Sequence, residues 1–219
     1  PTITTPASNQ TVDCDGSGNT SQLNTWLTSH AGAAATDACG GVATWTNNFT
    51  ALSDLCGATG AATVEFYAID YCGNTSTSTA TFTIRDITPP SINNTSKANL
   101  TVDCDGDGNT AAIDAWLANK AGATATDACS GTVTWTNNYT GLSDLCGATG
   151  TALVMFTATD ACSNTSTTTA TVTIRDITPP TITTPASNQT VDCDGAGNTS
   201  QLNTWLTSHA GAAATDACG

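Results

Sequence analysis

The sequence predicts an all-β chain of tandem β-sandwich domains, each with a short helical insertion after its first strand. Three features predict it: a repeat of about ninety residues, strands of strict period two inside each copy, and one apolar triplet at helical spacing per copy. The repeat comes first. RDITPP occurs at 85–90 and 175–180, VDCDG at 12–16, 102–106 and 191–195, TDAC at 36–39, 126–129 and 215–218, and LSDLCGATG at 52–60 and 142–150. The chain therefore divides into repeats 1–88 and 89–178 and the start of a third, 179–219. Residues 180–219 repeat 1–40 with one change, Ser17 to Ala196. Periods of 20–50 residues mean stacked solenoid units, whereas a period near ninety is that of a string of small independent domains. The chain starts inside a repeat, which reads as an interior segment of a longer protein.

Within a copy the β signal is direct. In TATFTIRD (79–86), Ala80, Phe82 and Ile84 share one face, and Thr79, Thr81, Thr83 and Arg85 share the other. The second copy keeps Ala170, Val172 and Ile174. AATVEFYAID (61–70) places Ala62, Val64, Phe66 and Ala68 on one face, and VATWTNN (42–48) carries Trp45, matched by Trp135. Such runs of Thr, β-branched and aromatic residues are half-buried strands. DYCGNTS (70–76) reads as a hairpin turn. Pro-Pro stiffens the DITPP linker by fixing φ and restricting the residue before it.

The helix follows DGSGNT. Leu23, Trp26 and Leu27 fall at i, i+3 and i+4, as do Ile113, Trp116, Leu117 and Leu202, Trp205, Leu206. Asn19 or Thr20 caps its start and Gly32 stops it. Its Trp is expected to cover an open end or face of the sandwich. About seven strands, with Trp45 packed between the sheets on the third, give an immunoglobulin-like topology.

Composition narrows the function. Eighteen acidic residues against four basic ones give a net charge of -14, and the only Glu is Glu65. Such a chain repels nucleic acid and anionic lipid, and no apolar run approaches the ~20 residues of a membrane span. Ten cysteines without a Cys-x-x-Cys pair read as structural disulfides of an exported protein. Crosslinks supply stability that a small, aromatic-poor core does not.

Four cysteines per full copy allow three connectivities. Cys39 and Cys72 sit in loops at one end of an immunoglobulin-like domain, and Cys14 and Cys56 at the other. This favours Cys39–Cys72 and Cys14–Cys56, with Cys129–Cys162 and Cys104–Cys146 in the second copy. The alternative is sequential pairing, Cys14–Cys39 and Cys56–Cys72, which would also pair Cys193 with Cys218. In either scheme the bridges resist extension.

The loop VDCDGDGNTAAID raises a metal question. Counted as an EF-hand from Asp103, oxygen ligands fall at Asp105, Asp107 and Asp114, with Gly108 at the sixth position. The set Asp103, Asp105, Asp107 and Asp114 is a candidate calcium site. The first and third copies lack it, having Ser17 and Asn24, and Ala196 and Asn203. The other reading is an Asp/Gly/Asn turn leading into a helix N-terminus, where acidic groups are favoured. Asp37, Asp70 and Asp86 recur as Asp127, Asp160 and Asp176, and convergence of Asp37 with Asp70, or Asp86 at the junction, offers further places for a cation. Catalysis finds no support. His30 and His209 become Lys120 in the middle copy, Glu65 becomes Met155, and no nucleophile or phosphate-loop motif occurs.

The motifs ATDACG, CGATGAATVEFYAIDYCGNTSTSTATFTIRDITPP and the inserted DGDGNT…WL resemble the HYR-like, immunoglobulin-type repeats of giant Bacteroidota surface proteins, closest to gliding adhesins of the SprB type. The resemblance covers essentially the whole chain. It implies type IX secretion, display as an outer-membrane-associated filament at the cell surface, and attachment to surface polysaccharide or substratum during gliding. The expected partners are then neighbouring repeats of the same chain and that substratum, with no nucleic acid and no direct membrane insertion. The reading is a structural stalk. A glycan- or protein-binding module, or spacer repeats of a secreted enzyme, are the alternatives.

Overall fold

The computed structural model describes residues 1–219 except 40, 42, 43 and 144. The first repeat forms β1 (Thr2–Thr5), β2 (Gln10–Asp13), α1 (Thr20–Thr28), β3 (Ala34–Thr36), β4 (Thr44–Asn47), β5 (Gly60–Ile69) and β6 (Thr75–Arg85). The second repeats the series as β7 (Ser91–Asn93), β8 (Leu100–Asp103), α2 (Thr110–Ala118), β9 (Thr124–Thr126), β10 (Thr134–Asn137), β11 (Gly150–Thr159) and β12 (Thr165–Arg175). The third contributes β13 (Thr181–Thr184), α3 (Thr199–Thr207) and β14 (Ala213–Thr215). The first two residues of the strand expected at 42–48 lie outside the described residues.

The first repeat is a sandwich of unequal layers. One layer is a four-stranded sheet of order β2-β6-β5-β4, with β5 and β6 antiparallel from Gly60↔Ile84 to Ile69↔Thr75 and β2 parallel to β6. The other layer is the β1-β3 ribbon completed by α1. Among the described residues a full repeat thus has six strands rather than seven, and the helix stands where further strands would lie. Alternation on β5 and β6 buries Val64, Phe66, Ala68, Ala80, Phe82 and Ile84. The opposite face is a Thr surface, on which Thr63 and Thr81 pair through their hydroxyls at 3.0 Å. Cross-strand pairs of this kind each contribute a few tenths of a kcal/mol, roughly 0.2–1.

The two tryptophans exchange their expected places. Trp26 of α1 is only 3% exposed and packs edge-on to Phe66 at 5.3 Å and tilted against Phe82 at 5.4 Å. Its Nε1–H donates to Ser8 O at 3.1 Å. Trp45 is half-buried and stacks on His30 at 4.7 Å. The centre of the core lies under the helix because the helix, not a strand, forms the middle of the second layer. The N-cap also differs from expectation. Asn19 occupies the cap position in a left-handed conformation (φ 50) and makes no side-chain cap bond; its Nδ2 donates instead to Asp13 O at 2.9 Å. Among the described residues no four-stranded sheet covers α3 of the third repeat, and Leu202 is 50% exposed where Leu23 is 8%.

The chain folds into two compact units that cut across the repeats of the sequence. The first contains Pro1–Ser96, Ala123–Asn137 and Phe156–Thr168, and the second Lys97–Gly122, Asn138–Met155 and Thr169–Gly219. In the first, β7 pairs with β9 and β10 with the Phe156–Thr159 part of β11. In the second, β8 runs parallel to β12 and β13 pairs with β14.

Candidate functional site

The site is the junction between consecutive repeats, built once in each unit. In the first unit β2 ends at Asp13, and Cys14 N–H donates to Arg85 O at 2.7 Å, so the Cys14 loop is held beside the end of β6. The Asp15 carboxylate turns the loop by accepting from Ser17 N–H at 2.8 Å and Asn19 N–H at 3.0 Å. The Cys56 loop lies beside it, with Cys14 Sγ 3.6 Å from Ala58 O. Two elements of the second repeat close onto these loops. One is the TDAC turn, in which Asp127 Oδ1 accepts from Cys129 N–H at 2.8 Å. The other is the β11–β12 hairpin, where Asp160 Oδ1 accepts from Cys162 N–H at 2.8 Å and Asn164 N–H at 2.9 Å.

The cysteines bond across this junction. Cys14 is joined to Cys129, with Cα atoms 5.9 Å apart, and Cys56 to Cys162, with Cα atoms 5.2 Å apart. The second unit repeats the first of these as Cys104–Cys218. This corrects the pairing expected within a repeat: Cys14 does not meet Cys39 or Cys56, and Cys104 does not meet Cys146. Cys39, Cys72, Cys146 and Cys193 are exposed thiols in the structure. Cys14 and Cys56 do share one end of a repeat, but their partners come from the following copy. Cys129 enters the buried core cluster of the first unit alongside Cys14, Phe66 and Ile84.

The linker is clamped by the same groups. Asp13 accepts from Ile87 N–H at 3.2 Å and from the Thr88 hydroxyl at 3.0 Å. Asp86, 7% exposed, accepts from Thr88 N–H at 3.1 Å and from the Ser130 hydroxyl at 3.0 Å, while Asn164 Nδ2 donates to Asp86 O at 3.2 Å. In the second unit Asp103 accepts from Ile177 N–H at 3.0 Å and the Thr178 hydroxyl at 2.8 Å.

These bonds also shape the acidic loop. Asp103 is turned to the linker, and Asp105 accepts from Asp107 N–H and Asn109 N–H, both at 2.9 Å. Asp107 and Asp114 are exposed. Among the described residues Asp103, Asp105, Asp107 and Asp114 do not gather into one ligand set, and the loop is a turn closed by its own backbone donors. The acidic groups that do gather are Asp86 with Asp127 beside Cys129, and Asp176 with Asp216 beside Cys218, each with ligand atoms within 4.8 Å. A close approach at one glycine marks the junction in the structure. Gly16 has φ +74, and a Cβ there would lie 2.6 Å from Ala128 O. Gly18 has φ +78 and nothing within 4 Å. Gly16→Ala is therefore expected to destabilise the first unit clearly more than Gly18→Ala, which costs only the left-handed strain of about 1–2 kcal/mol; urea titration of the two variants checks the order.

Hydrogen bonding holds several loop carboxyls below the usual aspartate range. For Asp15 the main cause is Asn19 N–H, for Asp70 the Asn74 side chain, for Asp103 the Thr178 hydroxyl, for Asp105 Asn109 N–H and for Asp194 Asn198 N–H. A carboxyl whose folded pKa is lowered contributes stability that is complete above its unfolded pKa and is lost as pH falls through the folded value. Melting temperature is thus expected to stay level with respect to these groups above neutral pH and to fall below about pH 4, checked by thermal melts from neutral pH downward.

No family model and no curated protein matches the sequence. Among solved structures, the chain aligns over 100% of its length with 56% of protocadherin gamma B2 extracellular cadherin domains 3–6, at 11% identity and TM-score 0.27. It aligns over 85% with 50% of the protocadherin gammaB7 EC3–6 cis-dimer structure, at 12% identity and TM-score 0.28. Human CDH23 EC21–23 gives 72% and 55% coverage, 15% identity and TM-score 0.28. The chain spans about half the length of each of these structures. Scores this low leave the fold to be argued from the strands themselves. Among the described residues no helix is long and apolar enough to cross a membrane.

Proposed function

We propose that this chain is a stalk segment of an exported repeat adhesin, displayed as a filament at the surface of a gliding bacterium and carrying attachment to a polysaccharide or other substratum. One observation carries the reading: covalent bonds join each repeat to the next, so tension passes from repeat to repeat without first unravelling a domain. The shortest covalent path from Pro1 to Gly219 runs to Cys14, crosses to Cys129, returns to Cys104 and crosses to Cys218. That path is about forty residues, on the order of 140 Å at full stretch, against on the order of 750 Å for the reduced chain. A protein whose structure depends on such bonds belongs in an oxidising compartment outside the cytosol.

Single-molecule pulling from the two ends tests the stalk. The oxidised chain should yield on the order of 140 Å of extension before the covalent path is taut, and reductant should release the remainder. Full extension without reductant would overturn the mechanical reading. For adhesion, antibody against the repeat added to intact cells should reduce their hold on a surface; unchanged attachment would leave a stalk without this role.

A further inference from the structure

The acidic loop of the second repeat holds two Asp-Gly pairs, Asp105-Gly106 and Asp107-Gly108. The first repeat has only the counterpart of the former, Asp15-Gly16, with Ser17-Gly18 in place of the latter. An aspartate followed by glycine is a reactive unit. With no side chain on the glycine Cα, its backbone nitrogen can approach the preceding carboxyl carbon closely. Reaction needs a carboxyl free to swing and a glycine free to turn.

Asp15-Gly16 and Asp105-Gly106 lack both freedoms. The carboxylates of Asp15 and Asp105 accept from the residue two ahead at 2.8 and 2.9 Å, and from the asparagine four ahead at 3.0 and 2.9 Å. Their glycines are packed: a Cβ on Gly16 would meet Ala128 O at 2.6 Å, and one on Gly106 would meet Ala217 O at 2.8 Å. Asp107-Gly108 has both freedoms. The Asp107 side chain is exposed and accepts no hydrogen bond among the described residues. Only its backbone is held, by N–H donation to Asp105 at 2.9 Å and by the Thr110 hydroxyl on its carbonyl at 3.3 Å. A Cβ on Gly108 would meet nothing within 4 Å. The Gly108 N–H contributes less to holding Asp105 than the N–H of Asn109 or Asp107 does.

We infer that Asp107 is a site of spontaneous isoaspartate formation, a modification from which the fold protects Asp15 and Asp105. The Gly108 nitrogen attacks the carboxyl carbon of the Asp107 acid. A C–N bond forms, the C–OH bond breaks, and the hydroxyl leaves as water with the amide proton, giving a succinimide ring. Water then adds to either ring carbonyl. Opening at the backbone carbonyl frees that carbonyl as a carboxyl and leaves the chain running through the side-chain carbon. One water is lost and one regained, so no oxidant or other co-reactant is needed. The product lengthens the main chain by one carbon between Cys104, which is bonded to Cys218, and the start of α2 at Thr110. The inference rests on the loop alone and is independent of the adhesion reading.

The test is incubation of the full 219-residue disulfide-bonded chain in warm, mildly acidic buffer with a chelator. Samples are then reduced, cut with trypsin and sequenced by electron-transfer mass spectrometry. Peptide 98–120 carries Asp105 and Asp107, and peptide 1–85 carries Asp15. Isoaspartate should accumulate at Asp107 about tenfold or more faster than at Asp15 or Asp105, since those two must first give up charge-assisted hydrogen bonds. In the reduced, urea-unfolded chain the three pairs should react at similar rates. Asp107→Ser, which copies Ser17 of the first repeat, should abolish the product in the second repeat with unchanged circular dichroism. Equal rates at Asp105 and Asp107 in the folded chain would overturn the inference. So would no isoaspartate at Asp107 over a time in which the unfolded chain reacts.

Discussion

Trp26→Ala is expected to lower the stability of the first unit by about 3–5 kcal/mol, the cost of emptying a buried aromatic site. The argument is one of packing. The indole lies between α1 and the sheet, in contact with both Phe66 and Phe82, and those residues belong to the two central strands. Neither strand has freedom to collapse into the space, because their ladder is continuous over ten residue pairs. Trp26→Phe should cost much less in area but still forfeits the bond to Ser8 O, worth about 1 kcal/mol. Trp116 supplies the comparison: it holds the same place in α2 but is half-buried, so Trp116→Ala should cost less than Trp26→Ala. Urea denaturation of the three variants against the parent checks the ranking, and equal losses for Trp26 and Trp116 would contradict the packing account.

Removing the Cys14–Cys129 bridge as a Cys14→Ser/Cys129→Ser pair is expected to cost about 2–5 kcal/mol. The bridge closes 115 residues of chain, and constraint on the unfolded state grows with the length closed. The effect separates the two pairing schemes. With bridges between repeats, Cys14→Ser/Cys129→Ser breaks one bond, while Cys14→Ser/Cys56→Ser breaks two and strands the thiols of Cys129 and Cys162. With Cys14–Cys56 and Cys129–Cys162 bridges the order reverses, and with sequential pairing each double variant breaks two bonds. Thermal melting of both double variants should therefore show the larger drop for Cys14→Ser/Cys56→Ser.

What could be read from the sequence was whatever depends on near neighbours. The buried faces of β5 and β6 follow from alternation alone, since period two assigns each residue to a side without reference to the rest of the fold. The helix was legible from Leu23, Trp26 and Leu27 for the same reason. Which tryptophan lies at the centre was not, because that depends on what forms the second layer: Trp45 is central only if strands complete it, and α1 does so instead. The acidic loop shows what spacing leaves open. Asp103 and Asp105 stand two apart, as metal ligands would, but spacing does not say where a carboxylate turns, and one faces the linker while the other faces its own backbone. The cysteine partners were hidden by the repeat itself. Cys39 and Cys129 occupy the same TDAC motif, so any partner argued for one by motif and topology serves the other equally. Only the close approach at Gly16 distinguishes a loop that receives another repeat from one that merely turns.

The most direct measurement is a tryptic digest without reductant, because the four basic residues, Arg85, Lys97, Lys120 and Arg175, separate the cysteines by repeat. Stapling of each repeat to its successor predicts that fragment 1–85 is recovered bonded to 121–175, and fragment 98–120 bonded to 176–219. Recovery of 1–85 as a single unlinked fragment, together with 98–120 bonded to 121–175, would show the bridges closed inside each repeat and contradict the account.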